Sequence, residues 1–246
     1  MSNLAVITGT SGALGTAIAK RFKQSGYTVC GLDITKKNNT NIDLFIEVDL
    51  NRFVTHEQTK SEVIAKIRNW AGTDTIRTLV NNAAYQYVSK NHPIDVNEIL
   101  KSYNINVVAP YLLISNLAEQ ITKSTGCIVN VGSIHSRLTK PGFLAYSTTK
   151  AALSALTRGL AIDYEERFRI ICIEPASIST PMLLDGFKNN PEKLDELESY
   201  HPQKRIGTPM EVAEMIYLIN SSKIRFLHGS CIDMSGGIAN RLHDPA

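Results

Sequence analysis

Short runs of apolar, β-branched residues alternate along this chain with longer stretches in which apolar residues recur at three- and four-residue steps. Short apolar runs bounded by turn residues read as strands buried on both faces, and the longer periodic stretches read as helices laid against them. The pattern predicts strands over residues 4–8, 28–32, 44–48, 78–81, 127–131, 169–173 and 230–233. It predicts helices over 13–24, 54–70, 94–121 with a bend, 145–164 and 209–220. Repeated strand–helix–strand units build a parallel sheet covered on both faces, so the expected fold class is α/β. The architecture is a Rossmann-type, doubly wound parallel sheet of about seven strands, with residues 1–246 forming one domain. Residues 181–208 break the alternation with three prolines, several charges and only weak helical periodicity. A long excursion late in a compact α/β domain is expected to act as a lid over a substrate site.

Composition narrows the function classes. With 43% apolar and 20% charged residues the chain has the makeup of an ordinary globular protein and can bury a large core. Its formal charge of +3 is spread out, and no basic cluster exceeds two residues, as at Lys36 and Lys37, so no stripe suited to a nucleic acid is present. Cys30, Cys127, Cys172 and Cys231 are far apart in sequence and match no zinc-ligand spacing. They are expected to be buried, reduced and free of metal. No apolar stretch approaches the roughly 20 residues of a membrane span and no basic n-region precedes residues 4–7, so a soluble, cytoplasmic protein without a membrane partner is expected.

Candidate chemistry begins at the end of the first strand. The run Gly9, Thr10, Ser11, Gly12, Ala13, Leu14, Gly15 passes from that strand into the first helix. A helix N-terminus offers unpaired N–H groups and partial positive charge, and glycines let the backbone approach a pyrophosphate. Asp33 ends the second strand, where a carboxylate accepts hydrogen bonds from the adenosine ribose and repels a 2′-phosphate. The expected cofactor is therefore NAD, with NADP disfavoured.

Tyr146 and Lys150 stand four apart in a helical stretch, hence on one face. Ser133 lies thirteen residues before Tyr146, just past the strand 127–131. A second tyrosine–lysine pair with this spacing, Tyr200 and Lys204, is rejected because Pro202 lies between them and Phe187 occupies the position of the serine. In an open α/β sheet, ligands bind beyond the carboxyl ends of the strands. That edge also receives Asn82, Ala83 and Ala84 after the fourth strand and Pro175 and Ala176 after the sixth.

These motifs, in this order, resemble the compact, single-domain branch of the short-chain dehydrogenase/reductase family over nearly the whole chain. The resemblance also draws on the pair Asp49 and Leu50, on Asn106, and on the run from Pro175 through Ile178 to Thr180. It implies a catalytic tetrad of Asn106, Ser133, Tyr146 and Lys150. It further implies that Asp49 and Leu50 flank the adenine, that Asn82, Ala83, Ala84, Pro175, Ala176 and Ile178 line the cofactor, and that Thr180 meets the nicotinamide carboxamide. Tyr146 and Lys150 would also touch the cofactor, and the family suggests a homo-oligomer, a tetramer or dimer, built on residues 109–121 and 151–161. Two residues depart from the branch: Ala13 in place of the middle glycine of the turn, and Ala176 in place of the glycine after Pro175. With Gly12, the turn has the GxxGxxG spacing of the longer, epimerase-like branch, but the chain lacks that branch's extra C-terminal substrate region.

The implied reaction moves a hydride between the cofactor and a small-molecule alcohol or carbonyl. Tyr146 serves as acid or base with its pKa drawn down by the Lys150 cation, Ser133 binds the substrate oxygen, and Asn106 holds a water that links Lys150 to solvent. His135 is a candidate substrate contact beside Ser133 and Tyr146, and Arg137 and Arg205 are candidates for an anionic substrate group. Specificity is expected from residues 181–208, 85–92 and the C-terminal tail. The rival readings are an NADPH-dependent 3-oxoacyl-type reductase, a nucleotide-sugar enzyme of the longer branch, and a non-catalytic NAD(H)-sensing regulator.

Overall fold

The computed structural model describes residues 3–89, 93–122 and 126–241. Parts of two segments expected to set specificity, residues 90–92 and 242–246, lie outside the described residues. Seven parallel strands form one sheet: β1 (Asn3–Thr8), β2 (Tyr27–Asp33), β3 (Leu44–Glu47), β4 (Ile76–Asn81), β5 (Cys127–Val131), β6 (Arg169–Pro175) and β7 (Cys231–Met234). Their order is β3-β2-β1-β4-β5-β6-β7. The chain runs outward from β1 to β3, returns across to β4 and runs outward again to β7, so β1 and β4 flank the point where the winding reverses. In doubly wound sheets that point opens a crevice at the carboxyl ends of the strands.

Alternate residues of each strand face opposite layers. In β1, Ala5 and Ile7 join one core with Ile18 and Phe22 of α1 (Ala13–Gln24) and Val212 and Ile216 of α9 (Pro209–Ser221). Leu4 and Val6 join the other core, with Ile64 and Ile67 of α3 (Glu57–Ala71), Leu113 and Leu117 of α5 (Ala109–Thr122), and Leu160 of α6 (Leu144–Tyr164). Parallel strands need such crossover helices, and the two layers bury both faces of the sheet.

The helix expected over 54–70 is two: α2 (Leu50–Thr55) ends at His56, whose extended backbone separates it from α3. The bend expected within 94–121 lies between α4 (Val96–Tyr103) and α5, where Asn104–Val108 winds as a π-helix. Pro110, four residues after Asn106, has no N–H to return to the Asn106 carbonyl in the α pattern. Residues 181–208 hold two short helices that the weak periodicity hid, α7 (Pro181–Asp185) and α8 (Pro191–Tyr200), each opened by a proline. A parallel bridge between Ile178 and Gly207 ties the end of this excursion to the turn after β6.

Phe22 is fully buried and meets the rings of Tyr27 and Tyr217 edge-on, at centroid distances of 5.0 and 5.8 Å. Truncating such a side chain forfeits its burial and leaves a cavity. Phe22→Ala is expected to lower unfolding stability by about 3–5 kcal/mol, read as a reduced urea midpoint at unchanged slope.

Candidate active site

The turn after β1 is shaped for close backbone approach. Gly9 has φ +74°, and a Cβ there would stand 2.7 Å from Asn82 Nδ2. A Cβ on Gly15 would stand 2.0 Å from the Gly9 carbonyl oxygen, so glycine is required at both positions. Gly12 differs: an added Cβ would make only ordinary contact, at 3.5 Å from that oxygen. Gly12 caps α1 without a side-chain hydrogen bond, and no acidic residue lies in the first turn, so the positive end of the helix is open to an anion. Ala13 is the first residue of α1 and is half-buried.

Asp33 ends β2 beside this turn. Its Oδ2 accepts from the Ser11 N–H at 2.8 Å and its Oδ1 from the Thr35 N–H at 3.4 Å. The Lys37 ammonium donates to the Ser11 carbonyl at 2.9 Å, so a cation sits at the same mouth as the carboxylate. On the other side, Thr8 Oγ1 accepts from the Asn82 and Ala83 N–H groups, each at 3.0 Å, and Asn82 Nδ2 donates to the carbonyls of Thr8 and Gly9 at 2.9 and 3.2 Å. Thr8 thus locks the turn after β4 onto the turn after β1, a role the sequence pattern did not reveal. Asp49 caps α2 by accepting from the Asn51 N–H at 2.8 Å, and Leu50 is packed into the core.

The groups expected to carry the chemistry gather at the end of β5. Two bonds hold α6 against that strand: Asn130 Nδ2 donates to Thr157 Oγ1 at 2.9 Å, and the Lys150 ammonium donates to the Val131 carbonyl at 2.7 Å. Lys150 is 2% exposed, and burial pulls its pKa down to about 8. Its nitrogen lies 5.5 Å from the centre of the Tyr146 ring. Burial pushes the Tyr146 phenol up to about 12, and the hydrogen-bonded Ser133 hydroxyl opposes this only in part. Here the structure corrects the expectation that Lys150 draws the phenol down. Its ammonium is engaged by the Val131 carbonyl, and desolvation of the tyrosine is the dominant effect. Ser133 Oγ also accepts from the His135 N–H at 3.2 Å, which fixes the chain just past the serine.

Asn106 is buried in the π-helical segment. Its Oδ1 accepts from the Tyr85 N–H at 2.7 Å, while its Nδ2 donates to the Tyr85 carbonyl and to Thr149 Oγ1, both at 2.9 Å. The side chain therefore ties the segment after β4 to α6, and both amide donors are used. Thr149, between Tyr146 and Lys150 on α6, is a second positioning group without a sequence signal.

His135 stacks on Phe143 at 4.8 Å and meets the Tyr146 ring edge-on at 5.7 Å. Burial lowers its pKa, with nearby Lys140 adding to the effect, so at neutral pH it is an uncharged hydrogen-bonding group. The two arginines proposed for an anionic substrate are engaged elsewhere. Arg137 pairs with Glu174 at 3.2 Å and Asp233 at 2.7 Å, and Arg205 pairs with Glu211 at 2.6 Å beside the capping box of α9. A guanidinium already matched to carboxylates has little to offer a substrate anion. The rejected pair shares no helix face, because α8 ends at Tyr200 and Lys204 follows it with φ +54°.

Pro175 ends β6, and Ala176, Ile178 and Thr180 follow, Thr180 capping α7 by accepting from the Leu183 N–H at 3.3 Å. A cavity of about 400 Å³ opens beneath this turn, bounded by Ala176, Ile178, His201, Arg205 and Gly236. Ser133 and Tyr146 are not among its walls.

Residues 9–239 match a family model described as enoyl-(acyl carrier protein) reductase. The 2-(R)-hydroxypropyl-CoM dehydrogenase of Xanthobacter autotrophicus is 30% identical over 250 residues, covering 96% of this chain and 98% of that protein. The ligand-free aldohexose dehydrogenase of Thermoplasma acidophilum superposes with a TM-score of 0.91 at 27% identity, over 100% of this chain and 97% of that one. ElxO with NADP bound superposes with a TM-score of 0.86 at 25% identity, over 98% and 100% of the two chains. The chain belongs to the short-chain dehydrogenase/reductase family and is an oxidoreductase of that type with the family's nicotinamide-cofactor fold. Among the described residues, no helix is long and apolar enough to cross a membrane.

The buried Lys150 carries a pH-dependent signature. In the folded chain its ammonium is disfavoured, so between about 8 and the ordinary 10.5 the unfolded chain binds more protons and stability rises with pH. Relative to Lys150→Met, the wild type is expected to gain up to about 3 kcal/mol across that window, measured by urea unfolding at stepped pH. A constant difference between the two proteins would mean that Lys150 is not desolvated.

Proposed function

We propose that this chain is an NAD(H)-dependent oxidoreductase that interconverts a small-molecule alcohol and its carbonyl, with Tyr146 as general acid/base and Ser133, Lys150 and Asn106 assisting it. The observation that carries the reading is the meeting of Ser133, Tyr146 and Lys150 at the end of β5, beside the turns after β1, β4 and β6. The glycine cradle and the open N-terminus of α1 fit a pyrophosphate, since side chains on Gly9 or Gly15 would fill the space. Gly9, Thr10, Ser11, Gly12, Ala13, Leu14 and Gly15 would hold the phosphates and Asp33 the adenosine ribose. Asp49 and Leu50 would adjoin the adenine. Asn82, Ala83 and Ala84, then Pro175, Ala176, Ile178 and Thr180, would line the rest. When bound, the nicotinamide supplies or accepts the hydride.

The protein's share is proton management and orientation. Ser133 donates to the substrate oxygen, and Tyr146 gives its phenolic proton to that oxygen in reduction or removes the alcohol proton in oxidation. Lys150, held by the Val131 carbonyl, supplies positive charge within reach of Tyr146 and offers donors to a ribose. Because the Asn106 side chain is consumed by Tyr85 and Thr149, a water on this path would be held through the Asn106 main-chain carbonyl. His135, neutral and stacked beside Tyr146, suits a polar, uncharged part of the substrate. Residues 181–208 would act as the lid. A homo-oligomer through α5 and α6 is supported by Tyr111 and Ile162, which are 44% and 77% exposed on those helices.

A second cofactor reading has its own observation: Lys37 reaches the Ser11 carbonyl at the mouth where a 2′-phosphate would lie. NADH and NADPH titrated side by side decide between them. We expect NADH to bind at least tenfold more tightly, and Asp33→Ala to erase most of that margin; tighter NADPH binding would transfer the assignment to Lys37. For the chemistry, Tyr146→Phe is expected to lower kcat on a turned-over alcohol by about 10²–10⁴ with cofactor affinity retained. Near-full turnover by this variant would remove Tyr146 from the role.

A further inference from the structure

The register of the sheet brings together two cysteines that stand 59 residues apart in sequence. Cys172 of β6 and Cys231 of β7 are direct partners in the parallel ladder, so their side chains leave the same face. Their sulfurs and a Glu174 carboxylate oxygen lie within 4.8 Å of one another. Gly132 makes room for them, since a Cβ there would stand 2.7 Å from Cys172 Sγ and 3.3 Å from Glu174 Cγ. Cys172 is fully buried and Cys231 is half-buried, which corrects the expectation that all four cysteines are inert core residues.

We propose that Cys172 and Cys231 form a reactive dithiol, a thiol-modification site at which Cys231 attacks a small disulfide and Cys172 closes an intramolecular one. The backbone permits the product: neighbouring strands run about 4.8 Å apart, within the roughly 4.4–6.8 Å Cα range that disulfides span. At the accessible sulfur the partner thiol and the Arg158 guanidinium favour a thiolate, opposed by burial and by the Glu174 carboxylate. The adjacent Cys172 sulfur holds the Cys231 pKa below the ordinary thiol value and has its own raised, burial reinforcing the latter, and the Cys231 thiol donates to the Ser154 carbonyl at 3.7 Å. An Arg158 nitrogen lies 3.6 Å from Cys231 Sγ. Ser154 Oγ donates to Glu174 at 2.7 Å and lies 3.8 Å from Cys172 Sγ. The same surroundings argue against a divalent cation. Glu174 is already engaged by Ser136, Ser154 and Arg137, and two guanidinium groups, those of Arg137 and Arg158, flank the cluster.

In the first step the Cys231 thiolate attacks glutathione disulfide, forming a protein–glutathione disulfide and releasing one glutathione thiolate. In the second, Cys172 loses its proton and attacks the Cys231 sulfur, releasing the second glutathione thiolate. The protein loses two electrons and two protons, and the disulfide is reduced to two thiols. The site lies one helical turn along α6 from Lys150, because Ser154 Oγ stands 3.1 Å from the Lys150 carbonyl oxygen and 3.8 Å from Cys172 Sγ.

The test uses the full-length protein, reduced, desalted and incubated with glutathione disulfide at neutral pH, then denatured, alkylated and mapped by mass spectrometry. The free-thiol count is expected to fall from four to two, with one cross-linked peptide pair containing Cys172 and Cys231. Before oxidation, Cys231 should react with iodoacetamide at least about tenfold faster than Cys30 and Cys127, whose pKa values burial pushes up to about 12. Cys172→Ala should accumulate glutathione on Cys231, whereas Cys231→Ser should keep its three remaining thiols. A count that stays at four, a link through Cys30 or Cys127, or one equivalent of Zn²⁺ that stays bound through desalting and protects both thiols would each overturn the proposal. The peptide map of the wild type decides the matter even if a variant fails to fold.

Discussion

In a sheet whose strands all point the same way, every strand delivers its last residue to the same edge, and this protein depends on that constraint. Thr8, Asp33, Asn81, Val131 and Pro175 end five neighbouring or near-neighbouring strands, so the turns that follow them share one rim. Groups from distant parts of the chain meet there without long loops to carry them. The arrangement requires that the helices be held in register with the strands. Polar bonds to strand ends do this: Asn130 to Thr157, Lys150 to the Val131 carbonyl, and Thr8 to the turn after β4. Each is buried or partly buried, where an unmatched partner would cost more than the bond itself contributes.

The electrostatics of the centre differ from a simple picture of a lysine activating a tyrosine. Both groups are desolvated, and each is driven toward its neutral form: the phenol upward, the ammonium downward. With its pKa near 8, Lys150 still carries its charge at neutral pH, while the phenol keeps its proton. Elsewhere charges are matched locally. Arg137 bridges two acidic residues and Arg205 closes on Glu211, so the rim carries little unmatched charge of either sign at those points.

Much of this was legible in the chain itself. Periodicity located all seven strands, since residues buried on both faces must be apolar throughout, and α1 was placed to the residue. The turn, Asp33, Ser133, Tyr146 and Lys150 were found because each follows a strand or sits at a fixed helical spacing. Features that depend on tertiary neighbours or on weak local pattern escaped. The helices α7 and α8 are short, and neither buries a continuous apolar face. The ion pairs of Arg137 and Arg205 join residues whose proximity depends on strand order, so the arginines looked free. Cys172 and Cys231 likewise become neighbours only when β7 is laid beside β6 in a particular register. Local pattern carries no record of that step.

The π-helical segment around Asn106 is in effect an α-helix with one residue too many. Deleting one residue there would restore regular winding and leave α4 and α5 close to their present phase, because the wide turn is what absorbs the extra residue. The helix would gain a more regular backbone and lose the link from Asn106 to Tyr85 and Thr149. Insertion and deletion are therefore not equivalent accidents in this stretch: a chain shorter by one residue would trade the Asn106 contacts for a better-formed helix.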